Sequence, residues 1–317
     1  MCGIVGLFAK TPEIENQLGQ HLSRMLAEMQ ERGPDSAGFA VYRDPVPAGS
    51  VKLSLAGPAG RDWDALAASL EAAFGQARLT RVGQQATVVL PTDVETARGW
   101  LAAHAPELTL RSAGTAIEIY KEKGLPQDVA ARFGLDGITG SHAIGHTRMA
   151  TESAVTTDHS HPFSTGLDLC LVHNGSLSNH NRLRQQLTRD GVEIATDNDS
   201  EVAAGFLTRQ LAQGDSLRMS LENARRVLDG FYTFCVGTSD GFAVLRDPVA
   251  CKHAVLAETD DWVAMATEFR AIAVLPGAEN ARVWEPEPGR VYIWHRDQDG
   301  NVVAEGGGQA GAEARSA

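Results

Sequence analysis

The order of apolar runs along the chain constrains its fold more than any other feature. Gly3–Ala9 reads as a buried strand that ends at Thr11-Pro12, an N-cap and a first helical position. Ile14, Leu18, Leu22, Met25, Leu26 and Met29 then share one helical face, and Gly33-Pro34 stops that helix. A second strand lies at 39–42 and closes at Asp44-Pro45. Further strand-like runs follow at 143–147 and 169–173, then helices near 179–188, 199–212 and 217–228. Paired strands at 232–237 and 242–245 are joined through Ser239-Asp240-Gly241, a good hairpin turn. Alternating runs recur at 253–257 and 262–266. Sheet, then helices, then more sheet predicts stacked sheets with helices on the outer faces.

Residues from about 47 to 140 form a block of their own. A helical pattern (Trp63, Leu66, Leu70, Phe74) precedes a strand at 86–90, and a second helix starts after Pro91-Thr92. Strand-like runs near 108–110 and 116–120 complete a β-α-β-β alternation. The expectation is an α+β insertion at approximately 50–140 within one domain spanning 1–302. Residues 303–317, dominated by Gly, Ala and Glu from Gly306 onward, read as a disordered tail.

Composition excludes several classes. The 317 residues are 43% hydrophobic and 21% charged, which is globular and long enough for a sizeable core. A net charge of −12 argues against nucleic acid or an anionic membrane as the main partner. No apolar run approaches the roughly 18–20 residues that span a bilayer. The opening MCGIVGLFAK lacks the basic and long apolar regions of a signal peptide, so the expected location is the cytoplasm. Cys2, Cys170, Cys235 and Cys251 include no CxxC, so no zinc ribbon or iron–sulfur cluster is expected in this chain. His142 and His146 lie four apart in a strand, about 13 Å from one another at the usual rise, and His159 and His161 have no carboxylate or Cys at suggestive spacing; no metal site is expected.

Cys2 has the first chemical claim. Removal of the initiator Met leaves it with both a thiol and a free α-amine. A free thiol titrates near ~8.5 and an α-amine near ~7.7–8.0, so at neutral pH one residue holds a nucleophile and a base. A Met-Cys pair also arises by chance. Gly3 and Gly6 flank an apolar strand beside the thiol, which lets backbone approach a substrate closely.

MCGIVGLF resembles the start of a class II, N-terminal-nucleophile glutamine amidotransferase. Other segments match that family in order: Arg32-Gly33-Pro34-Asp35-Ser36-Ala37-Gly38, Gly145-His146-Thr147-Arg148-Met149-Ala150-Thr151, Val172-His173-Asn174-Gly175, Asp199-Ser200-Glu201, Leu245-Arg246-Asp247-Pro248 and Ala266-Thr267-Glu268. The resemblance implies an α+β, four-layer αββα N-terminal-nucleophile hydrolase fold. It implies that Cys2 attacks the γ-carboxamide of glutamine and that ammonia leaves. Asn174 and Gly175 then supply the donors that a tetrahedral oxyanion needs. Arg148 grips the α-carboxylate with two parallel N–H···O bonds, Thr151 adds a hydroxyl, and Asp199 pairs with the α-ammonium. Arg32 and Asp35 belong to a loop that shapes and closes over the pocket. Read without the resemblance, His-Asn-Gly is a plain turn, and Arg148 and Asp199 are surface charge or a helix cap. Two departures stand out. Glu152-Ser153 follows Thr151 where the family often has His-Gly, and Arg32 and Arg148 stand 116 positions apart, hence the insertion.

No acceptor domain and no Gly-rich phosphate loop are visible after the matching segments, which implies a separate partner. The chain is most similar to glutamate-synthase-related chains of the GlxB type and to the amidotransferase component of N-methylglutamate synthase. That similarity implies a hetero-oligomer with glutamate-synthase-like subunits, with any FMN or iron–sulfur cluster held by those subunits. The insertion is expected to help dock such a partner. Two other classes remain open: a stand-alone N-terminal Cys amidase without ammonia channelling, and a non-catalytic assembly subunit.

Overall fold

The computed structural model describes residues 2–149 and 155–306. Gly3–Ala9 lies at the centre of a seven-stranded sheet, ordered Arg282–Trp284, Val255–Glu258, Trp262–Ala266, Gly3–Ala9, His142–Arg148, Ser36–Tyr42 and Ile117–Lys123. A six-stranded sheet is ordered Val302–Glu305, Val291–Arg296, Gly241–Arg246, Gly230–Gly237, Leu169–Leu177 and Phe163–Gly166. Pairings between neighbouring strands in both sheets are antiparallel.

Alternation along Gly3–Ala9 shows how the layers form. Ile4 and Phe8, with Ile144 and Met265 of the same sheet, face the second sheet and share a buried core with its Val172, Val244 and Trp294. Val5, Leu7 and Ala9 face the other way, against Leu18, Leu22, Met25 and Leu26 of the helix Leu18–Glu28. The outer face of the second sheet carries Leu171, Phe234 and Val236 against Val202, Phe206 and Leu207 of Asp199–Ala212 and Leu221 of Leu217–Val227. Helix, sheet, sheet and helix give the four layers that the resemblance implied. Both faces of Gly3–Ala9 are buried, which is why its sequence is a near-continuous apolar run.

The inserted unit has its own four-stranded sheet, ordered Arg78–Val82, Gln85–Leu90, Val51–Ala56 and Thr109–Gly114, covered by Trp63–Phe74 and Val94–His104. It is shorter than the expected 50–140. Ile117–Lys123 pairs with Ser36–Tyr42 and completes the seven-stranded sheet. Its Ile117 and Ile119 enter the core between the sheets, and Tyr120 enters the helix-side core. Pro126–Arg132 likewise packs Val129 and Ala130 on the main body. Two insert strands were not read from the sequence. Val51–Ala56 carries polar Lys52 and Ser54 at buried positions, and Arg78–Val82 is a largely exposed edge.

The insert is tied down at defined points. Asp168 accepts from the backbone N–H groups of Thr115 (2.7 Å), Ala116 (2.8 Å) and Ile117 (3.0 Å), and from the Thr115 hydroxyl. Lys52 reaches Glu118 at 3.3 Å with both side chains buried. Along Ile117–Lys123, the N–H of Ile119 donates to Ser54 Oγ and the carbonyl of Lys121 accepts from Gln85 Nε2. At the other end of the chain, Val302–Glu305 pairs with Val291–Arg296. A strand therefore occupies positions 303–305 of the expected tail; residues 307–317 lie outside the described residues.

Candidate active site

Cys2 stands just before the central strand, half-buried, with its Sγ directed at the Met149 carbonyl at 3.9 Å. Gly3 and Ile4 pair in register with Thr147 and His146, so the strand ending in Arg148 runs alongside the nucleophile. The close approach requires glycine at position 3, because a Cβ there would lie 2.8 Å from both Met29 Cβ and Thr147 Oγ1. Behind the strand, Ile4 is clamped from both sides of its peptide. Its N–H donates to Thr267 Oγ1 at 2.8 Å, and its carbonyl accepts from the Thr267 N–H at 2.9 Å. The Ala266-Thr267-Glu268 segment thus holds the nucleophile strand in place.

Two side chains converge on the Cys2 carbonyl. Arg32 Nε donates to it at 3.1 Å and Asn174 Nδ2 at 3.2 Å. These bonds bring together Cys2, Arg32 and Asn174 from three distant parts of the sequence. Arg32 is itself oriented by an ion pair from Nη1 to Glu268 Oε1, while Arg270 Nε lies 2.8 Å from Glu268 Oε2. Desolvation works against the Glu268 charge, but Arg32 and then Arg270 hold its carboxyl below the usual range. Asn174 has two amide hydrogens; one is engaged with Cys2, which leaves the second as a donor.

Gly175 follows Asn174 in the same strand, opposite Tyr232. Its φ is +150°, and a Cβ there would lie 2.0 Å from the Phe231 carbonyl oxygen and 2.7 Å from Tyr232 Cα. Only glycine fits this backbone. The opposing residue is fixed in turn, since Tyr232 N–H donates to Asp247 Oδ2 at 3.0 Å. Asp247 Oδ1 accepts from Val249 and Ala250 N–H, so the Arg246-Asp247-Pro248 segment is a rigid turn bracing the Gly175 pairing. His-Asn-Gly is therefore strand here, not the hairpin turn that its sequence also allows.

Asp199 opens the helix Asp199–Ala212, with Asn198 as the N-cap. Asp199 Oδ2 accepts from the Leu177 N–H at 2.8 Å, two residues beyond Gly175, and Oδ1 lies 3.7 Å from His173 Nδ1. Burial pushes the carboxyl up, but His173, the Leu177 N–H and His180 more than reverse that and bring it down to about 2. A charged carboxylate is thus held beside the Asn174-Gly175 segment. Arg148 is buried at the end of its strand, and its carbonyl accepts from the Asp35 N–H at 3.1 Å, joining the Arg32–Gly38 loop to the same edge. Thr151 lies outside the described residues.

The structure thus gathers Cys2, Arg32 and Asn174 by direct hydrogen bonds, with Gly175 next to Asn174 in its strand, links Asp199 to the end of that strand, and places Arg148 beside the nucleophile strand. Sequence reasoning gave no role to Glu268 or Ser200, although both lie in the matching segments. It weighed His146 and His161 as metal ligands and took His173 as part of the His-Asn-Gly segment. In the fold these three are buried beside Ser200, whose hydroxyl lies 2.8 Å from His161 Nε2 and 2.9 Å from His173 Nδ1. Among the described residues no group of three His, Cys, Asp or Glu is arranged to hold a metal ion. Cys170 and Cys235 are buried, and burial raises both thiols, that of Cys170 to about 12. A cavity of about 1050 Å³ lies elsewhere, between the insert and the main body, lined by Arg43, Lys52, Arg78, Glu118 and Arg296 among others; none of the predicted site residues borders it. Among the described residues no helix is long and apolar enough to cross a membrane.

The chain is similar to known proteins in sequence and in fold. Residues 146–274 match a family model described as a glutamine amidotransferase domain. The chain is 52% identical over 296 residues to the glutamine amidotransferase-like protein GlxB of Rhizobium meliloti, covering 93% of this chain and 98% of that protein. It is 28% identical over 196 residues to an amidophosphoribosyltransferase of Methanocaldococcus jannaschii, across 61% of this chain and 40% of that enzyme. The fold matches that of glutamine phosphoribosylpyrophosphate amidotransferase from B. subtilis with a TM-score of 0.61 at 21% identity. That match covers 96% of this chain, which spans about half (49%) of the length of the solved structure.

Proposed function

The chain belongs to the class II glutamine amidotransferases, and from that premise we propose that it hydrolyses glutamine at Cys2 and passes the ammonia to a partner synthase. The observation that carries this reading is the convergence of Arg32 Nε and Asn174 Nδ2 on the Cys2 carbonyl. It places an amide donor and Gly175 next to the residue that bears the thiol.

The chemistry follows from the groups in place. With Met1 removed, the Cys2 α-amine takes the thiol proton, and Sγ attacks the γ-carbonyl carbon of glutamine. The carbonyl oxygen becomes an oxyanion and accepts from the second Asn174 N–H and the Gly175 N–H. The proton held on the amine passes to the leaving nitrogen, the C–N bond breaks, and ammonia departs. Water then attacks the thioester and releases glutamate. Arg148 binds the α-carboxylate, Asp199 binds the α-ammonium, and Arg32 holds the nucleophile strand at the pocket edge. Thr151 supplies a further hydroxyl to the substrate.

The partner is, in this reading, a glutamate-synthase-like protein, with N-methylglutamate synthase as the specific assembly. FMN and an iron–sulfur cluster would be held by the partner subunits. The likeness to GlxB supports the family; the assembly is proposed on the sequence resemblance alone. The insert is the proposed docking element, and docking raises glutaminase activity.

The test is direct. Cys2→Ala and Cys2→Ser should abolish glutamine hydrolysis while circular dichroism and thermal unfolding stay near wild type. Active protein whose intact mass retains Met1 in full would rule out this mechanism. Unchanged activity on addition of the partner and its acceptor substrate would remove the coupling part of the proposal.

A further inference from the structure

His146 sits in the strand beside the nucleophile, opposite Ile4, and its side chain crosses to the second sheet. There Nε2 lies 3.0 Å from the carbonyl oxygen of His173, the residue before Asn174. A carbonyl only accepts, so Nε2 carries the hydrogen and Nδ1 is the bare nitrogen. Nδ1 is buried and has no hydrogen-bond partner among the described residues, as expected for a neutral ring in this tautomer. Burial, with His173 and Arg148 nearby, drives His146 down to about 3, so the ring is neutral at neutral pH. The ring is held flat by His161, whose centroid is 4.0 Å away at an interplanar angle of 23°. His161 is itself anchored through Nε2 to Ser200 Oγ.

The bond lies at a sensitive place. The pairing between Leu169–Leu177 and Phe163–Gly166 ends at Leu171 opposite Phe163. The oxyanion segment starts beyond that point. Among the described residues, two hydrogen bonds then join the sheets at the site: Asn174 Nδ2 to the Cys2 carbonyl, and His146 Nε2 to the His173 carbonyl. The first uses the group that must also serve the oxyanion. The second touches neither thiol nor substrate and fixes the peptide plane between His173 and Asn174.

We infer that His146 is a positioning residue that sets the depth of the Asn174 and Gly175 donors against Cys2 through its bond to the His173 carbonyl. The inference rests on the glutaminase reading above. Oxyanion donors act over a narrow distance range, so release of this peptide lowers the rate of acyl transfer while leaving glutamine binding by Arg148 and Asp199 in place.

The experiment uses the full chain with His146→Leu, His146→Gln and His146→Asn. Glutamine hydrolysis is measured per reactive site, with sites counted by covalent labelling of Cys2 with a glutamine-like diazoketone, and folding is followed by thermal unfolding. Gln places an N–H near the position of imidazole Nε2, whereas Asn is too short to reach the carbonyl. His146→Leu and His146→Asn should lose about 10-fold or more in kcat per labelled site, at unchanged KM, and His146→Gln should recover most of it. If His146→Leu does not fold, the contrast between Gln and Asn carries the same test. Wild-type kcat per labelled site in the Leu or Asn variant, or equal losses in Gln and Asn, overturns the inference. A wild-type chain that neither hydrolyses glutamine nor labels at Cys2 overturns the glutaminase reading itself.

Discussion

Gly175→Ala is the sharpest probe of the proposed oxyanion site. A Cβ at position 175 falls 2.0 Å from the Phe231 carbonyl oxygen, where ordinary contact starts at 3.4 Å. The neighbouring atom is backbone, braced by the Tyr232–Asp247 bond, so no side chain can swing aside. Relief requires the Gly175 peptide and its partner strand to part by roughly 1.4 Å, the difference between those two distances. The native φ of +150° adds a backbone conformation that alanine rarely adopts. Strain of this kind costs of order 1–3 kcal/mol, which urea denaturation will read. The functional cost is larger, because a shift of about 1 Å at a reacting centre lowers kcat by about 10²-fold. Steady-state hydrolysis of glutamine, with kcat and KM separated, is the assay. Gly99→Ala is the control: it lies in the helix Val94–His104, nothing surrounds its Cβ position within 4 Å, and alanine there should stabilise by about 0.5–1 kcal/mol. A Gly175→Ala enzyme with wild-type kcat would refute the reasoning, since the donor would then tolerate a displacement that the geometry forbids.

Asn174→Ala should lower kcat by about 10²–10³ by removing one oxyanion donor, whereas Arg148→Lys should mainly raise KM by losing the bidentate grip; equal effects of both on KM alone would contradict the assignments. Asp199 titrates near about 2 in the fold against an ordinary 3.8, so it contributes stability present above that ordinary value and lost as pH falls through about 2. The difference is about 2 kcal/mol, and the stability gap between wild type and Asp199→Asn should be open at neutral pH and close across that window. Urea titrations in which the gap stays constant to the lowest pH would show that the carboxyl is not held down as described.

Much of the architecture was legible because its periodicities are strong. Gly3–Ala9 and 242–245 stand out as strands because both faces are buried, and Leu18–Glu28 stands out because Leu18, Leu22, Met25 and Leu26 repeat at helical spacing. The predicted site residues were legible as short segments in a fixed order. The insert boundary was misread at 117–123. A strand that joins one sheet or another looks the same in sequence, and only the pairing of Tyr42 with Ile117 decides which sheet it joins. Val51–Ala56 was hidden by Lys52, whose buried ammonium is met by Glu118 and the Ala116 carbonyl. His146 was legible as a residue but not as a bond. Its partner is a backbone carbonyl in the other sheet, and no sequence pattern encodes how two sheets stack at one point.

The pairing of Tyr42 with Ile117 has a consequence for how the chain can be cut. Seen as a path through space, everything between those residues is a detour that leaves and re-enters at adjacent points of one antiparallel pair. A short turn could close the gap, because antiparallel neighbours need only a two-residue connection. Such a shortcut has a cost on the far side of the re-entering strand. The Ile119 N–H and the Lys121 carbonyl now end on Ser54 and Gln85, so the detour seals the rim of the seven-stranded sheet. Excision leaves those groups as an open template to which another chain can add a strand. A loss of solubility in such a deletion would therefore report a bare sheet rim, separately from any loss of partner binding, and a charged residue or proline placed on that rim would tell the two apart.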